Sequence, residues 1–415
     1  MNVIKKKTIE VLRRLQGWTK TDMVYLAKGC FWLTFGQAIT AVSSFLLAIA
    51  FANLLSPEEY GMYKYVLSAV IILSIPTLDG MNSAIVRAVV RGFDGSVKPI
   101  IKLRIRWGLF GGLASLAFAG YYWYVGQSSL AIAFLIVSAF VPFLDSINLY
   151  TGFLMDRKEF KTLSIYNVII SVGAAIVVAG TLFFTKNIFF LIFAYFFSNT
   201  LLRLIITLVT LKKYQLNDRR EADTVSYGKH LSLMGIILKI ADQLDKVLIF
   251  NFLGAAQVAV YSFAILPVQE ARLPLRNLGV ISQPKFSQRS IAELKKHLPP
   301  KMLKFFLVLV FFVATYIIFS PIIFKVFFPQ YLDSVAYSQV YSLSLLFFPA
   351  MFLLRVLIAH AQKRQLYWLR IAVPAFKVIF FFIALPVWGI WGAIASQLAA
   401  EAANAGLLIY YFNKL

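Results

Sequence analysis

Two long apolar stretches in the second half of the chain carry charged residues where a membrane helix normally has none. They read YGKHLSLMGIILKIADQLDKVLIFNFL (227–253) and AQVAVYSFAILPVQEARLPLRNLGVISQPKFS (256–287). An ionisable side chain inside a bilayer costs about 2.5–3.5 kcal/mol on insertion scales, so it persists mainly where it is paired or faces a wet cavity. We therefore interpret this helix pair as the wall of a polar pathway. The charged residues in its interior are Lys239, Asp242, Asp245, Lys246, Glu270, Arg272 and Arg276.

The composition of the chain indicates a polytopic helical membrane protein. The 415 residues are 60% hydrophobic and 14% charged, with a mean hydropathy of +0.76. A water-soluble domain cannot bury that much apolar surface. The net charge of +23 is compatible with nucleic-acid binding. However, the basic residues are scattered among short connectors, which is typical of a membrane protein, and we predict no nucleic-acid partner.

The sequence contains no pattern that is typical of an enzyme, a metal site or a cofactor site. It lacks a phosphate-binding glycine loop, a nucleophile elbow and a zincin motif. The single cysteine, Cys30, cannot form an internal disulfide. His230, His297 and His360 lie far apart in the sequence, without the spacing of metal ligands. We therefore predict a protein that is not an enzyme and has neither a metal site nor a cofactor.

Apolar runs of membrane-span length recur along the chain, and we predict twelve spans. Residues 1–24 place apolar and basic positions in a pattern that predicts an amphipathic helix on the cytoplasmic membrane surface. With a cytoplasmic N-terminus, every inner connector carries basic residues, whereas the outer connectors and the span ends beside them carry only Lys64, Lys186 and Lys325. This asymmetry predicts that both termini are cytoplasmic. The predicted spans are residues 31–55, 62–86, 107–125, 129–153, 163–184, 188–211, 227–253, 256–287, 303–328, 335–360, 365–385 and 388–412.

The two halves of the chain resemble each other when they are aligned in the same direction, with Tyr63 on Tyr261. Together with the composition, this repeat predicts an all-α polytopic membrane protein in which about 12 transmembrane helices form two parallel six-helix bundles with a central cavity. We expect residues 25–211 and 227–415 to form the bundles and residues 212–226 to be a cytoplasmic linker between them.

The same alignment predicts a hinge and a gate at equivalent places in the two halves. Pro76 falls on Pro274, and a proline within a helix removes a hydrogen bond and allows a bend. We expect both prolines to interrupt their helices and to act as hinges. Arg87 falls on Lys285, and these two basic residues are predicted to set the topology or to form an inner gate.

Four short motifs give the chain a resemblance to a known superfamily. They are LLSPEEYGMY (54–63), DKVLI (245–249), PKFS (284–287) and GIWGAIA (389–395). The chain resembles the multidrug/oligosaccharidyl-lipid/polysaccharide (MOP) exporter superfamily, particularly its polysaccharide-transporter branch, which includes the O-antigen flippases. The resemblance implies a flippase that moves a polyprenyl-diphosphate-linked oligosaccharide from the inner to the outer leaflet of the cytoplasmic (inner) membrane by alternating access. The implied partners are the lipid-linked glycan, membrane lipid, and the polymerase and glycosyltransferases of surface polysaccharide biosynthesis.

The first candidate site is a pair of guanidinium groups on the second charged stretch. Arg272 and Arg276 lie one helical turn apart, so both can bind one anion. The diphosphate that the resemblance implies suits bidentate guanidinium donors. Alternatively, the two arginines pair with membrane carboxylates such as Glu270 or Glu401, or extend to the inner surface. Further predicted substrate-binding residues are Lys239, Arg355, Lys377 and Arg203.

Four of the six acidic residues within the spans form the second candidate site. Asp242 and Asp245 alternate with Lys239 and Lys246 along one helix, so they can form a single polar stripe. Such a stripe fits a site for a coupling proton or sodium ion, and it fits a structural network that holds the two bundles together equally well. The residues predicted for this role are Asp242, Asp245, Glu270 and Glu401.

Two other functions remain open at this point. A cation-coupled multidrug antiporter of the same superfamily often carries an acidic residue in its first helix, whereas residues 31–55 contain no Asp or Glu. A non-transporting scaffold of a glycan-assembly complex would tolerate substitutions in the cavity and be sensitive in cytoplasmic loops such as residues 285–304. The lack of an ATP-binding motif argues against direct drive by ATP.

Overall fold

The computed structural model describes residues 23–214 and 216–415, and within them the chain forms α-helices and short 3₁₀ helices without any β-strand. The amphipathic helix predicted for residues 1–24 lies outside the described residues except for its last two. The helices of the first half are α1 (Met23–Leu54), α2 (Pro57–Leu73), α3 (Met81–Val90), α4 (Val97–Tyr124), α5 (Ser128–Ser138), α6 (Val141–Leu144), α7 (Tyr150–Asp156), α8 (Phe160–Phe184) and α9 (Ile188–Lys213). Those of the second half are α10 (Thr224–Leu253), α11 (Ala255–Ser287), α12 (Ile291–Phe327), α13 (Ser334–Ser342), α14 (Met351–Ala359), α15 (Lys363–Trp388) and α16 (Ile390–Lys414). We call α1–α9 the N-lobe and α10–α16 the C-lobe; the predicted bundle boundaries stay predictions.

The described helices account for twelve passages of span length, and three of these are interrupted. The second passage comprises α2, a 3₁₀ turn at Ile75–Thr77 and α3, the fourth comprises α5 to α7, and the tenth joins α13 to α14 through a 3₁₀ helix at Leu343–Ala350. By length and apolarity alone, six of the described helical segments qualify as membrane spans, or seven if the bent second passage counts as one. Helices α10 and α11 do not qualify, because of the polar and charged residues within them.

The second passage breaks at Pro76, as predicted, whereas α11 does not break at Pro274. Helix α2 ends at Leu73, Leu78 has a φ of 59°, and the two parts of the passage meet at an angle of 42°. The break ends at Gly80. Helix α10 lies so close to it that a Cβ atom on residue 80 would be 2.4 Å from the backbone nitrogen of Ser232. Helix α11 instead runs from Ala255 to Ser287 without a break at Pro274. A proline alone therefore does not end a helix in this chain, and the second passage combines Pro76 with a left-handed residue and a close contact with α10. The hinge role of both prolines stays a prediction.

The two lobes share one core at the end that the predicted topology places outside, which we call the outer end. Aromatic rings of both lobes meet there, with Tyr60 and Phe263 stacked at 4.6 Å and Tyr65 and Phe250 at 3.9 Å between centroids. Next to these rings α2 and α11 approach so closely that a Cβ atom on Gly61 would lie 1.8 Å from a backbone oxygen of α11. The outer end is therefore closed by direct packing between the lobes.

At the opposite, inner end each lobe has its own core. Met81 belongs to a core built from α3, α4 and α7–α9, whereas Phe286 belongs to one built from α11, α12 and α14–α16. Contacts of α10 with α3 and α4 still join the lobes on this side. The backbone N–H of Gly80 donates to Ser232 Oγ at 3.0 Å, and a Cβ atom on Gly228 would lie 2.3 Å from the sulfur of Met81. Cation–π contacts join Arg87 to Tyr227 at 4.7 Å and Lys229 to Trp107 at 5.5 Å. Among the described residues, the lobes thus share a hydrophobic core at the outer end and local contacts at the inner end.

Candidate functional site

A cavity of about 480 Å³ lies within the C-lobe, between α10, α11, α13, α15 and α16. Seven of the ten charged residues predicted for the substrate and coupling sites line it, although they come from four different helices. We call it the charged cavity. Its charged residues are Asp242, Asp245, Glu270, Arg272, Arg276, Lys377 and Glu401.

Arg272 is paired with a carboxylate, as the alternative prediction had it, but the cavity lies directly beside the pair. Its Nη1 donates to Glu401 Oε1 at 2.7 Å, and the guanidinium lies 5.6 Å from the centroid of the Tyr341 ring. The Nε atom of Arg272 is buried and has no hydrogen-bond partner among the described residues. This arginine therefore keeps donor capacity that its ion pair with Glu401 does not use.

Arg276 and Lys377 give the charged cavity a cationic edge. Arg276 is exposed, and no ion pair of it is found among the described residues. Lys377 and Arg276 are the cations from other helices that act electrostatically on Asp242. The lining as a whole has three cations and four carboxylates, so its formal charge is slightly negative when all are ionised. The cationic character is local and does not extend to the whole cavity.

Asp245 is a buried carboxylate whose oxygens are bound by groups from three helices. Tyr261 donates its hydroxyl to Oδ2 at 2.9 Å, and Gln397 donates its amide N–H to the same oxygen at 3.2 Å. The backbone N–H of Lys246 donates to Oδ1 at 2.8 Å, and the ammonium of Lys246 lies 3.6 Å from that atom. This arrangement connects α10, α11 and α16 and has the form of a structural network.

Lys239 does not line the charged cavity but extends from α10 into the N-lobe. Its ammonium donates to Asp79, to Asp145 Oδ2 at 3.2 Å and to Ser74 Oγ at 3.0 Å. The partners of Lys239 are thus carboxylates of the other lobe, and not Asp242 one turn away on its own helix. We call these residues, together with Arg104 and Arg203, the inter-lobe cluster.

The inter-lobe cluster contains three charged residues that the sequence analysis assigned to no site, namely Asp79, Asp145 and Arg104. Arg104 was expected in a cytoplasmic connector, yet it is fully buried in α4, where it donates to Thr77 O at 2.7 Å and to Asn82 Oδ1 at 2.9 Å. It also lies 3.3 Å from Asp79. A signal was available, because Arg104 shares a helix face with the small residues at 108, 111 and 115, which pack against neighbouring helices.

The other predicted residues lie outside the charged cavity. Arg203 donates to Leu144 O at 2.7 Å and lies 3.7 Å from Asp145. Arg355 packs beside Gly279, where a Cβ atom would lie 3.2 Å from its Nε. Lys64, expected in an outer connector, belongs to α2 and lies 5.3 Å from the Tyr60 ring.

Arg87 lies at the inner end of α3, 3.8 Å from Glu221 in the connector between α9 and α10. Arg91 donates to the same carboxylate at 2.7 Å. Burial of Glu221 opposes its ionisation, but the hydrogen bonds from Arg91 and Thr224 outweigh this effect and hold its pKa below the usual value. These contacts attach the connector to the N-lobe. The side chain of Lys285, the predicted counterpart of Arg87, lies outside the described part of the structure.

Four cavities form a series across the two lobes, because each shares wall residues with the next. The charged cavity shares Leu238 and Asp242 with a cavity between α10 and the break that precedes α3. That cavity shares Asp79 and Lys239 with a third one in the N-lobe, which in turn shares Arg203 with a fourth. A row of neighbouring cavities therefore runs from the charged cavity, past the inter-lobe cluster, into the N-lobe.

Comparison with known proteins gives one family match and several similar folds. The sequence model of the family described as "Polysaccharide biosynthesis protein" matches residues 26–272. No curated protein sequence matches the chain. The inward-facing conformation of a multidrug resistance MATE family transporter of the MOP superfamily has a TM-score of 0.71 at 13% identity, covering 90% of this chain and 94% of the other. The outward-facing conformation of such a transporter has a TM-score of 0.62 at 15% identity, covering 94% and 95%.

A third similar structure comes from Pyrococcus furiosus, with a TM-score of 0.64 at 16% identity and coverage of 94% of this chain and 96% of the other. It is described with the words "Reverse polarity of binding pocket suggests different function of a MOP superfamily transporter". At these identities the likeness shows the fold. The predicted fold class, an all-α polytopic membrane protein with two helical bundles, is thereby confirmed.

Proposed function

The chain belongs to the polysaccharide biosynthesis protein family, and from that membership we propose that it is a flippase for a polyprenyl-diphosphate-linked oligosaccharide. It would carry this lipid from the inner to the outer leaflet of the cytoplasmic membrane by alternating access. Its partners would be the glycosyltransferases that build the glycan and the polymerase that uses it. The observation that carries the proposal is the cavity in which Arg272, Arg276 and Lys377 converge from two helices.

The diphosphate would bind at the cationic edge of the charged cavity. Arg276 and Lys377 are available there, and Arg272 has a buried Nε donor without a partner among the described residues. Guanidinium groups bind phosphate through paired, charge-assisted hydrogen bonds. The polyprenyl tail would stay in the lipid while the glycan and the diphosphate occupy the polar interior.

The packing of the lobes supports loading from the inner leaflet. The outer halves share an aromatic core, whereas the inner halves have separate cores. A transporter in this arrangement takes up its substrate from the inside and must part its outer contacts to release it. Both termini would then be cytoplasmic, as the distribution of basic residues predicts.

The acidic residues differ in how well they fit the binding of a coupling ion. Asp245 is already bound by Tyr261, Gln397 and Lys246, so a coupling ion would have to displace these groups. The Oε2 atom of Glu270 is buried without a hydrogen-bond partner among the described residues. Asp242 has no ion pair among the described residues, whereas Glu401 is paired with Arg272. We therefore favour Glu270 and Asp242 over Asp245 and Glu401 for a proton or sodium ion that drives release.

The test measures the transport of a fluorescent polyprenyl-diphosphate-linked glycan between the leaflets of proteoliposomes. The lipid that reaches the outer leaflet is detected by its loss of fluorescence on addition of a membrane-impermeant quencher. The double variant Arg272→Ala/Arg276→Ala removes two charge-assisted contacts, each worth about 1.5–3 kcal/mol, so the rate should fall at least ~10-fold. Arg289→Ala, at an exposed position just after α11, is the matched control and should transport normally. Equal rates in the double variant and the wild type would remove the proposed diphosphate site.

A multidrug antiporter is the second candidate, because carboxylates outnumber cations in the charged cavity. Asp242 has no ion pair within contact distance among the described residues, so it could bind an organic cation. Efflux of a cationic dye from cells that produce the protein tests this function. Dye export that Asp242→Asn abolishes, with surface glycan unchanged, would favour the antiporter. A non-transporting scaffold would instead keep its function in both Arg272→Ala/Arg276→Ala and Asp242→Asn.

A further inference from the structure

The fourth cavity of the series, of about 410 Å³, lies entirely within the N-lobe. Its walls come from α1, from the segment around the start of α7, and from α8 and α9. We call it the N-lobe pocket. Its size falls within the range of about 300–1,000 Å³ that is typical of small-molecule sites. Residues that give it a polar lining are Gln37, Thr40, Asn148, Asn167, Ser171 and Arg203.

Several polar groups of the N-lobe pocket lack a protein partner. In the described part of the chain no hydrogen bond is found for the side chains of Thr40, Asn148 or Ser171, and Asn148 Oδ1 is buried. The Tyr150 hydroxyl donates to Asn167 Oδ1 at 3.0 Å, which leaves the side-chain N–H groups of Asn167 without a partner among the described residues. Amides and hydroxyls in this arrangement offer both donors and acceptors to a ligand.

The charges around the N-lobe pocket disfavour an ionic ligand. No carboxylate belongs to its described lining, and hard cations in proteins are bound largely by carboxylates. Its one charged residue, Arg203, already donates to Leu144 O at 2.7 Å and faces Asp145 at 3.7 Å, so an anion would have to compete for it. A neutral polyhydroxyl compound fits best, because its hydroxyl groups both donate and accept and its C–H faces can pack against Leu33 and Ile170.

The N-lobe pocket is also placed to share a ligand with the charged cavity. Arg203, Lys239 and Asp242 each line two successive cavities of the series, so the N-lobe pocket and the charged cavity are linked through neighbouring cavities. We propose, on the basis of the flippase function proposed above, that the N-lobe pocket binds a sugar residue of the same lipid whose diphosphate lies in the C-lobe. One lobe would then recognise the glycan and the other its anionic anchor.

The test measures how much the glycan adds to the affinity of the lipid for the purified protein in nanodiscs. Two probes are compared, namely polyprenyl-diphosphate-linked glycans extracted from the host membranes and synthetic polyprenyl diphosphate without sugar. The variants Asn167→Leu and Thr40→Val remove hydrogen-bonding groups at nearly constant volume. Thr181→Val changes a hydroxyl on the same helix as Asn167, outside the pocket lining, and serves as the control. Thermal unfolding of each variant shows whether it is folded.

We expect the wild type to bind the glycan-bearing lipid more tightly than the sugar-free lipid. Each pocket variant should lose roughly 2- to 12-fold of that preference, the value of one hydrogen bond, while its affinity for the sugar-free lipid stays unchanged. A wild-type preference that Asn167→Leu and Thr40→Val both retain would refute the sugar subsite and leave the flippase function standing. Equal wild-type affinities for the two lipids would also refute the subsite. If the wild type bound neither lipid, the proposed function itself would fail.

Discussion

Replacement of Lys239 by methionine should weaken the contact between the two lobes. The methionine side chain is similar in length but cannot bind Asp79 or Asp145 of the N-lobe, which Lys239 contacts from α10. These contacts exist in the conformation whose outer end is closed. Their loss should therefore shift the protein toward conformations in which the lobes are arranged differently.

The size of this shift follows from the exposure of the partners and from the charges left behind. Lys239 is 19% exposed, whereas Asp79 and Asp145 are 44% and 29% exposed. Each carboxylate also retains a guanidinium group, Arg104 at 3.3 Å from Asp79 and Arg203 at 3.7 Å from Asp145. Breaking a buried pair costs about 3–5 kcal/mol and breaking an exposed pair about 0–1 kcal/mol. We expect about 1–2 kcal/mol here, which changes a conformational equilibrium roughly 5- to 30-fold.

Distances between spin labels on the outer connectors of the two lobes can measure the shift. Spin labels would be attached to cysteines that replace the exposed residues Lys186 and Asp333 in a Cys30→Ser background. Double electron–electron resonance would then give the distribution of distances between the two labels. The population with separated outer ends should grow in Lys239→Met but not in the control Lys212→Met, at an exposed position. If both variants gave the wild-type distribution and unfolded at the wild-type temperature, the inter-lobe cluster would not hold the lobes together.

Three further substitutions test individual contacts. Glu401→Gln removes the carboxylate that competes for Arg272, so affinity for polyprenyl diphosphate should rise about 3- to 10-fold while turnover falls; weaker binding, measured in nanodiscs, would contradict this reasoning. Asp245→Asn should lower the free energy of unfolding by about 1.5–3 kcal/mol, seen as a lower melting temperature, because hydrogen bonds to a charged group are lost from the buried network. The contact between Glu221 and Arg91 lowers the pKa of the Glu221 carboxyl, so its stabilisation is present above the usual glutamate pKa and is lost as the pH falls through the lowered value. Glu221→Gln should flatten this acid-side loss in a series of melting temperatures, and an unchanged pH profile would exclude the contact as its source.

The sequence predicted best those features of the site that depend on one helix alone. The spacing of Arg272 and Arg276 places both on one face, and the structure brings both to the charged cavity. The convergence of Lys377 and Glu401 on the same cavity could not be predicted, because it depends on how α15 and α16 pack against α11. Periodicity shows which residues share a face, but it does not show which neighbouring helix covers that face.

The least predictable residues lie on α10, because this helix borders both lobes. Lys239 and Asp242 are one turn apart, and their spacing alone predicts that they pair. In the structure Lys239 binds N-lobe carboxylates, whereas Asp242 lines the charged cavity. The lobe boundary divides one polar stripe between two sites, and no local pattern in the sequence marks that boundary.

The near balance of charge in the cavity is itself consistent with the transport of an anion. A cavity with only cations would bind a diphosphate strongly and release it slowly, whereas a carrier must both bind and release. Glu401 offers Arg272 an internal partner that takes the place of phosphate when the cavity is empty. The guanidinium is then paired before loading, and it is paired again after release, so neither step leaves a buried charge alone. The sequence analysis offered the Arg272–Glu401 ion pair as an alternative to substrate binding. In a transport cycle the two would instead alternate, because Arg272 would bind phosphate when the substrate is loaded and Glu401 after its release.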